Sequence, residues 1–201
     1  MDDRELKSAI IRLLNEHEFE VSEIPGKRDS KTPDLYVIKD NAHYIIEIKS
    51  RQDNIERTTA ERAAFVRGEV VSKSETINRT NAVSAIVGDA IDQLRTYPAS
   101  AHSFRLIWLH ADGRDAELQM MQFRGTLYGL THIYDMTEEH DNRECYYFGF
   151  NDFFRYKDVL DGAILTAGLK LQVCINDLSP NATRFRAREP HPIKWTPRPN
   201  A

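Results

Sequence analysis

Cysteine is scarce in this sequence, with only Cys145 and Cys174 among 201 residues. Neither has a second cysteine or a histidine at zinc-ligand spacing, so neither a zinc module nor a disulfide framework is expected. Long hydrophobic runs are also lacking, since stretches such as Tyr44 to Ile48 fall far short of the roughly 20 apolar residues that a membrane span needs. No glycine-rich phosphate loop is present. We therefore expect a cytoplasmic protein that neither crosses a membrane nor binds a nucleotide by itself.

An excess of basic charge is absent as well, because the formal net charge is −4. A protein that coats nucleic acid through bulk charge needs many lysines and arginines to neutralise phosphates, so that class is excluded. An enzyme with an acidic metal site and a local basic strip remains compatible with this charge. The apolar share of 41% and the charged share of 29% are ordinary for a globular chain of this length. One domain with its own core is the expectation.

The first half of the chain predicts an α/β core. Both faces of its paired strands are rich in apolar residues, which is typical of a central mixed sheet flanked by helices on two sides. The predicted elements, in chain order, are a helix from Asp3, a strand at 19–24, strands at 34–38 and 43–49, a charged helical insertion within 51–81, a helix at 83–94 and a strand at 104–109.

Patterns are weaker in the second half. Residues 111–178 predict an α+β extension of the same domain, which would then span 1–178. From residue 179 the composition changes, because five of the eight prolines and a net charge of +4 fall in the last 23 residues. Such a segment predicts an extended basic tail over 179–201 that the core does not need and that contacts nucleic acid or a partner.

A short loop fixes the pairing of the second and third strands. If Asp40 and Asn41 form the centre of the turn, the numbers of paired residues sum to 81, and Asp34 faces Glu47. Side chains alternate along a strand, so Lys49 shares the face of Glu47. The register therefore predicts one patch that holds two carboxylates and a lysine.

Two directly opposed carboxylates destabilise a sheet unless something lies between them. Mg²⁺ prefers oxygen ligands and is typically held by one or two carboxylates together with substrate phosphate. A neighbouring lysine can orient or help to deprotonate an attacking water and can stabilise charge on a phosphoryl group. Asp34, Glu47 and Lys49 are therefore the candidate catalytic residues. His110, Asp112 and Asp115 form a second polar cluster, which we interpret as turn chemistry.

Pro33-Asp34, twelve intervening residues and then Glu47-Ile48-Lys49 resemble the signature of the PD-(D/E)XK nuclease superfamily, which has a restriction-endonuclease-like fold. The predicted order of elements over about residues 3–110 resembles its αβββαβ core. This resemblance implies a metal-dependent hydrolase of phosphodiester bonds. Mg²⁺, with Mn²⁺ as a substitute, would be bound by Asp34, Glu47 and the backbone carbonyl of Ile48.

The resemblance implies further site residues. Glu5 corresponds to a metal-binding glutamate on the first helix of Holliday-junction resolvases, with Glu16 as the fallback. Gln93 and Tyr97 resemble a Gln-x-x-x-Tyr element of exonuclease-like lineages and, four residues apart, share a helix face. Basic residues beside the motif are candidates for contact with nucleic acid, namely Lys27, Arg28, Lys31 and Arg51.

Three functions remain open from sequence. The first is a deoxyribonuclease, endo- or exonucleolytic, in repair, recombination or defence against foreign DNA. The second is an inactive nuclease-fold module that binds nucleic acid or a partner subunit, and the third is a ribonuclease. The expected partner is nucleic acid, with DNA favoured, and a homodimer or a partner protein is also considered.

Overall fold

The computed structural model describes residues 1–26, 31–53, 55–72, 77–98, 100, 102–134, 142–146 and 148–188. It contains a mixed sheet flanked by helices, as predicted, and the described residues form six strands of this sheet. The strands of this sheet are β1 (Glu20–Glu23), β2 (Leu35–Lys39), β3 (Ala42–Gln52), β4 (Ser103–Asp112), β7 (Gly162–Ala167) and β8 (Lys170–Ile175), in the spatial order β1-β2-β3-β4-β7-β8. A separate hairpin is formed by β5 (Leu130–Tyr134) and β6 (Asn142–Tyr146).

The helices are α1 (Asp3–Glu16), α2 (Ile55–Val66), α3 (Asn81–Thr96), α4 (Ala116–Tyr128), α5 (Asp152–Arg155) and α6 (Ala182–Arg186). In α1 the apolar side chains recur at helical spacing, and Leu6, Ile10, Leu13 and Leu14 are all buried. No described helix is long and apolar enough to cross a membrane.

Each face of the sheet carries its own hydrophobic cluster. On one face α1 packs against side chains such as Leu35, Ile46 and Trp108. On the other face α3 and α4 pack against side chains such as Ile45 and Leu109. Because side chains alternate along β3, the even-numbered residues point toward α1 and the odd-numbered ones toward α3. Glu47 and Lys49 therefore lie on the α3 face.

The central strands of the sheet pair in both the antiparallel and the parallel sense. β3 pairs with β2 in the antiparallel sense and with β4 in the parallel sense, so α3 is the crossover between two parallel strands. β4 then pairs in parallel with β7, and β8 closes the edge in the antiparallel sense. The C-terminal part thus extends the central sheet, whereas the sequence predicts only an α+β addition and no strand at β7.

The predicted extended tail is wrong for residues 179–188. Pro180 precedes a proline-free stretch, and α6 forms there. Phe185 of α6 is 1% exposed, and its ring centroid lies 5.1 Å from that of Phe104 and 6.5 Å from that of Tyr44. An apolar ring at the right position was enough to dock a short helix that composition alone does not predict. Residues 189–201 lie outside the described residues.

Candidate active site

The β2–β3 hairpin has the predicted register. Asp40 and Asn41 adopt positive φ angles of 48° and 60°, as a tight two-residue turn requires. Leu35 pairs with Ile46 and Lys39 with Ala42, so paired numbers sum to 81 as expected. Continuing this register by one residue places Asp34 opposite Glu47.

Pairing becomes irregular at Asp34. Its backbone N–H donates to the Ile46 carbonyl (3.1 Å), and its Oδ2 accepts the N–H of Ile48 (3.0 Å). The N–H and the carbonyl of one strand residue point to the same side, so the Ile48 carbonyl also faces the β2 edge. β2 begins only at Leu35, so within the described part of the chain no strand pairs with Ile48 on that side. Asp34 therefore lies beside Ile48 at the edge of β3 and is a neighbour of the Glu47 carboxylate.

Glu47 is a buried carboxylate with one oxygen left bare. Its side chain is 3% exposed, and Oε1 lies 2.7 Å from the ammonium of Lys49. Among the described residues Oε2 has no hydrogen-bond donor. Burial raises the pKa of Glu47 to about 7, the Lys49 ammonium opposes this rise, and the negative charge of Asp34 adds to it. Such an oxygen is available to a cation.

Asp34 has a lysine partner that the sequence does not predict. The ammonium of Lys7 on α1 lies 3.2 Å from Asp34 Oδ1 and 3.1 Å from Glu23 Oε2 on β1. Lys7 belongs to the charged side of α1, and only the docking of α1 on the sheet brings it to Asp34. No local pattern in the sequence carries that information.

Glu5 caps its own helix. Its Oε2 accepts the N–H of Asp2 (3.0 Å), while Asp2 Oδ1 accepts the N–H of Glu5 (2.7 Å), which completes a capping box. The start of α1 is tied to β3, because the hydroxyl of Ser50 donates to Asp3 Oδ1 (2.7 Å).

Glu16, the fallback for Glu5, lies eleven residues further on, about 16 Å along the helix axis. Within the described ranges no three His, Cys, Asp or Glu side chains gather into a metal cluster, so Glu5 is not brought to Asp34 and Glu47. His110, Asp112 and Asp115, all of them described, do not form such a cluster either.

Gln93 and Tyr97 lie on the α3 side of the sheet. Tyr97 ends α3, and its ring centroid is 6.2 Å from that of Tyr36 on β2. Gln93 is 9% exposed and lies one helical turn before Tyr97, with its amide donating to the Asp89 carbonyl (3.4 Å). The structure thus brings the helix element alongside the hairpin, without a hydrogen bond from Gln93 to the two carboxylates.

Two of the four candidate basic residues lie within the described part of the chain. Lys27 and Arg28 lie outside the described residues. Lys31 is exposed, and its backbone carbonyl accepts the hydroxyl of Thr96 (2.9 Å), which ties the loop before Asp34 to the end of α3. Arg51 donates to Gln122 Oε1 on α4 (2.7 Å), so this guanidinium already has a partner within the protein.

Comparisons of this chain with protein-family models, with curated proteins and with solved structures found no significant match.

Proposed function

We propose that this chain is a divalent-metal-dependent nuclease with a restriction-endonuclease-like αβββαβ core. The observation that carries the proposal is the pair Asp34 and Glu47, which lie next to each other at the end of the β2–β3 ladder, with a bare buried Glu47 oxygen and Lys49 beside it. Opposed carboxylates weaken a hairpin, and a bare buried oxygen weakens it further. A cation-binding role accounts for both features.

The donor set fits a hard cation. Carboxylate oxygens of Asp34 and Glu47 and the carbonyl of Ile48 would hold Mg²⁺ or Mn²⁺, and no sulfur or imidazole ligand competes for the ion in this arrangement. When bound, such an ion supplies a Lewis acid for the phosphoryl oxygens and lowers the pKa of a coordinated water. Asp34 is already oriented, because the Ile48 N–H fixes Oδ2.

Lys49 has the position of the group that serves the nucleophile. Its side chain is one quarter exposed, and its ammonium lies 2.7 Å from Glu47 Oε1, so the ammonium faces the site. From there it can orient the attacking water and donate to the charge that develops on the phosphoryl oxygens. Hydrolysis joins the water oxygen to phosphorus, breaks one bridging P–O bond and gives the released oxygen a proton.

The order α1-β1-β2-β3-α3-β4, with α2 inserted after β3, supports the finer fold assignment. The crossover from β3 through α3 to the parallel strand β4 places one helix over the face that carries Glu47 and Lys49. DNA is the proposed substrate class because the resemblance of the motif favours it, and RNA is an outcome of the test.

The test is incubation with circular, linear, single-stranded and branched DNA and with RNA, in Mg²⁺, Mn²⁺ or EDTA. Cleavage of DNA that needs the metal, and that disappears in Glu47→Gln but not in the control Lys170→Met, is expected. Lys170 pairs with Glu117 on the surface (2.7 Å) and has no part in the site. Cleavage of RNA alone would contradict the DNA assignment. Cleavage of neither polymer under any metal condition would overturn the enzymatic proposal.

A further inference from the structure

Five charged side chains, three carboxylates and two lysines, run across the candidate site. Glu23 Oε2 is 3.1 Å from the ammonium of Lys7, which is 3.2 Å from Asp34 Oδ1. Asp34, one residue beyond the end of the β2–β3 ladder, lies next to Glu47, and Glu47 Oε1 is 2.7 Å from the ammonium of Lys49. Each carboxylate of the opposed pair therefore has its own lysine. Without a bound cation, the two lysines offset the repulsion between Asp34 and Glu47.

The two lysines differ in how many oxygens of their carboxylate partners stay without a contact. Lys49 contacts Oε1 of Glu47, and Oε2 stays bare. Lys7 contacts Oδ1 of Asp34 while the Ile48 N–H contacts Oδ2, so both oxygens of Asp34 already have partners. A cation that joins the two carboxylates must share Asp34 with the Lys7 ammonium, and two positive charges at one carboxylate repel each other.

The Lys7 side chain is partly exposed to solvent, so it can move away from Asp34. Leu6 and Ile10 beside it are fully buried and hold α1 against the sheet, whereas the Lys7 side chain is 24% exposed and Asp34 is 28% exposed. Breaking an ion pair that water partly reaches costs less than breaking a fully buried one. A lysine side chain is long enough to exchange one nearby anion for another, and Lys7 already contacts two carboxylates, Asp34 and Glu23.

We propose that Lys7 exchanges its partner during the reaction cycle: it pairs with Asp34 in the free protein and with a substrate phosphate once a divalent cation occupies the site. This inference rests on the proposed nuclease function. It couples the two ligands, because the cation displaces Lys7 from Asp34 and the displaced ammonium then binds the phosphate. Binding of nucleic acid correspondingly tightens binding of the cation. In the absence of nucleic acid, Lys7 keeps cation affinity low.

The first experiment titrates Mn²⁺ into the full chain by calorimetry without nucleic acid. Lys7→Met removes the competing charge and is expected to lower the Kd for Mn²⁺ about five- to tenfold. Lys7→Arg keeps the charge and should stay near wild type, and Lys170→Met is the matched control for loss of a lysine elsewhere. A merely structural lysine would give the opposite sign, since its loss would disorder Asp34 and weaken cation binding.

The second experiment measures binding of a short DNA duplex whose linkages are all phosphorothioates, which keep the charge and resist hydrolysis. With saturating Mn²⁺, Lys7→Met should weaken binding and reduce the slope of log affinity against log salt by about 0.9, the value for one phosphate contact. In EDTA, where Lys7 stays on Asp34, wild type and Lys7→Met should have equal slopes.

The outcomes separate this inference from the nuclease proposal. If wild type binds Mn²⁺ but Lys7→Met binds it equally or more weakly, or if the salt slope in Mn²⁺ does not change, the exchange of partners is wrong while the nuclease proposal stands. If wild type binds no Mn²⁺ with or without the duplex, both proposals are wrong.

Discussion

Two buried carboxylates in this molecule have opposite surroundings. Asp161, directly before β7, is 4% exposed and accepts the N–H of Arg105 (2.8 Å), the hydroxyl of Ser179 (2.5 Å) and the amide of Asn181 (3.0 Å). Glu47 in β3 is 2% exposed, and among the described residues it receives only the Lys49 ammonium, on one of its two oxygens.

The difference shows what each carboxylate is for. Asp161 joins β4 to the segment that leads into α6, and three donors satisfy it, so its burial stabilises the fold. Glu47 is buried with one oxygen bare and with a second carboxylate opposite, so its burial weakens the fold. Unfavourable interactions of this kind tend to occur at functional sites. The predictions below test whether Glu47 is functional and Asp161 structural.

The largest expected effect is on cleavage. Glu47→Gln keeps the shape of the side chain but removes a cation ligand, so the cleavage rate should fall about a hundredfold or more. Asp34→Asn and Lys49→Met should have effects of similar size, because the three groups act on one reacting unit. Single-turnover rates with a DNA substrate in Mg²⁺ provide the measurement.

Asp161→Asn is the matched control for that assay. It also replaces a buried carboxylate by its amide, but outside the site, so the folded fraction should cleave at close to the wild-type rate. If Asp161→Asn lost as much activity as Glu47→Gln with its fold intact, the contrast between the two carboxylates would be wrong.

The next largest effect is on stability, and here we expect a loss at Asp161 and none at Glu47. Asp161→Ala leaves three donors without their acceptor, so the free energy of unfolding should fall by about 2–4 kcal/mol. Urea unfolding in EDTA measures this loss, and Glu47→Gln in the same assay should not be destabilised at pH 8. An Asp161→Ala protein as stable as wild type would show that these hydrogen bonds contribute nothing net.

The same contrast explains what could be predicted from sequence. The site hairpin is local: Asp40 and Asn41 fix the turn, the turn fixes the register, and alternation places Asp34, Glu47 and Lys49 together. Asp161 and Lys7 acquire their partners from elements far apart in the chain, and no periodicity encodes those contacts.

Strand β7 and helix α6 were missed for related reasons. Gly-Ala-Ile-Leu-Thr-Ala at 162–167 is too short and too uniformly apolar to distinguish a buried strand from a helix. A side chain at Gly162 would lie 2.7 Å from the Cys174 carbonyl and 2.9 Å from the Phe185 ring, and only the folded structure reveals that constraint. The proline-rich composition around α6 predicts an extended segment, and composition does not show that the Phe185 ring packs into the core.

A smaller effect concerns pH in metal-free protein. Glu47 in the folded state keeps its proton up to a pKa of about 7, against 4.5 ordinarily, because of burial. Between these values the unfolded state binds fewer protons than the folded state, so stability contributed by Glu47 falls as pH rises from about 4.5 to about 7. Glu47→Gln lacks this dependence and should be more stable than wild type at pH 8 by about 1–3 kcal/mol, with little difference at pH 4.5.

Unfolding of both proteins across this pH range in EDTA gives the difference curve. Adding Mn²⁺ at pH 8 should remove most of the advantage of Glu47→Gln, since the cation stabilises only a folded protein that can bind it. A difference that does not vary with pH would mean that Glu47 is ionised throughout, and that Lys49 compensates for its burial fully.

The smallest expected effect separates Glu5 from the opposed pair. Glu5 accepts the Asp2 N–H at the start of α1, so Glu5→Ala should reduce the free energy of unfolding by about 0.5–1 kcal/mol through loss of the cap. Glu5→Gln keeps an acceptor for that bond and removes only the charge, so it should keep the stability of wild type. Since the structure does not bring Glu5 to Asp34 and Glu47, the Mn²⁺ affinity of Glu5→Gln should stay near wild type, and its cleavage rate should fall far less than that of Glu47→Gln. Calorimetric titration of Glu5→Gln beside Asp34→Asn makes the comparison direct. Equal loss of Mn²⁺ affinity in the two variants would show that Glu5 leaves its cap to bind the cation, and that a third carboxylate belongs to the site.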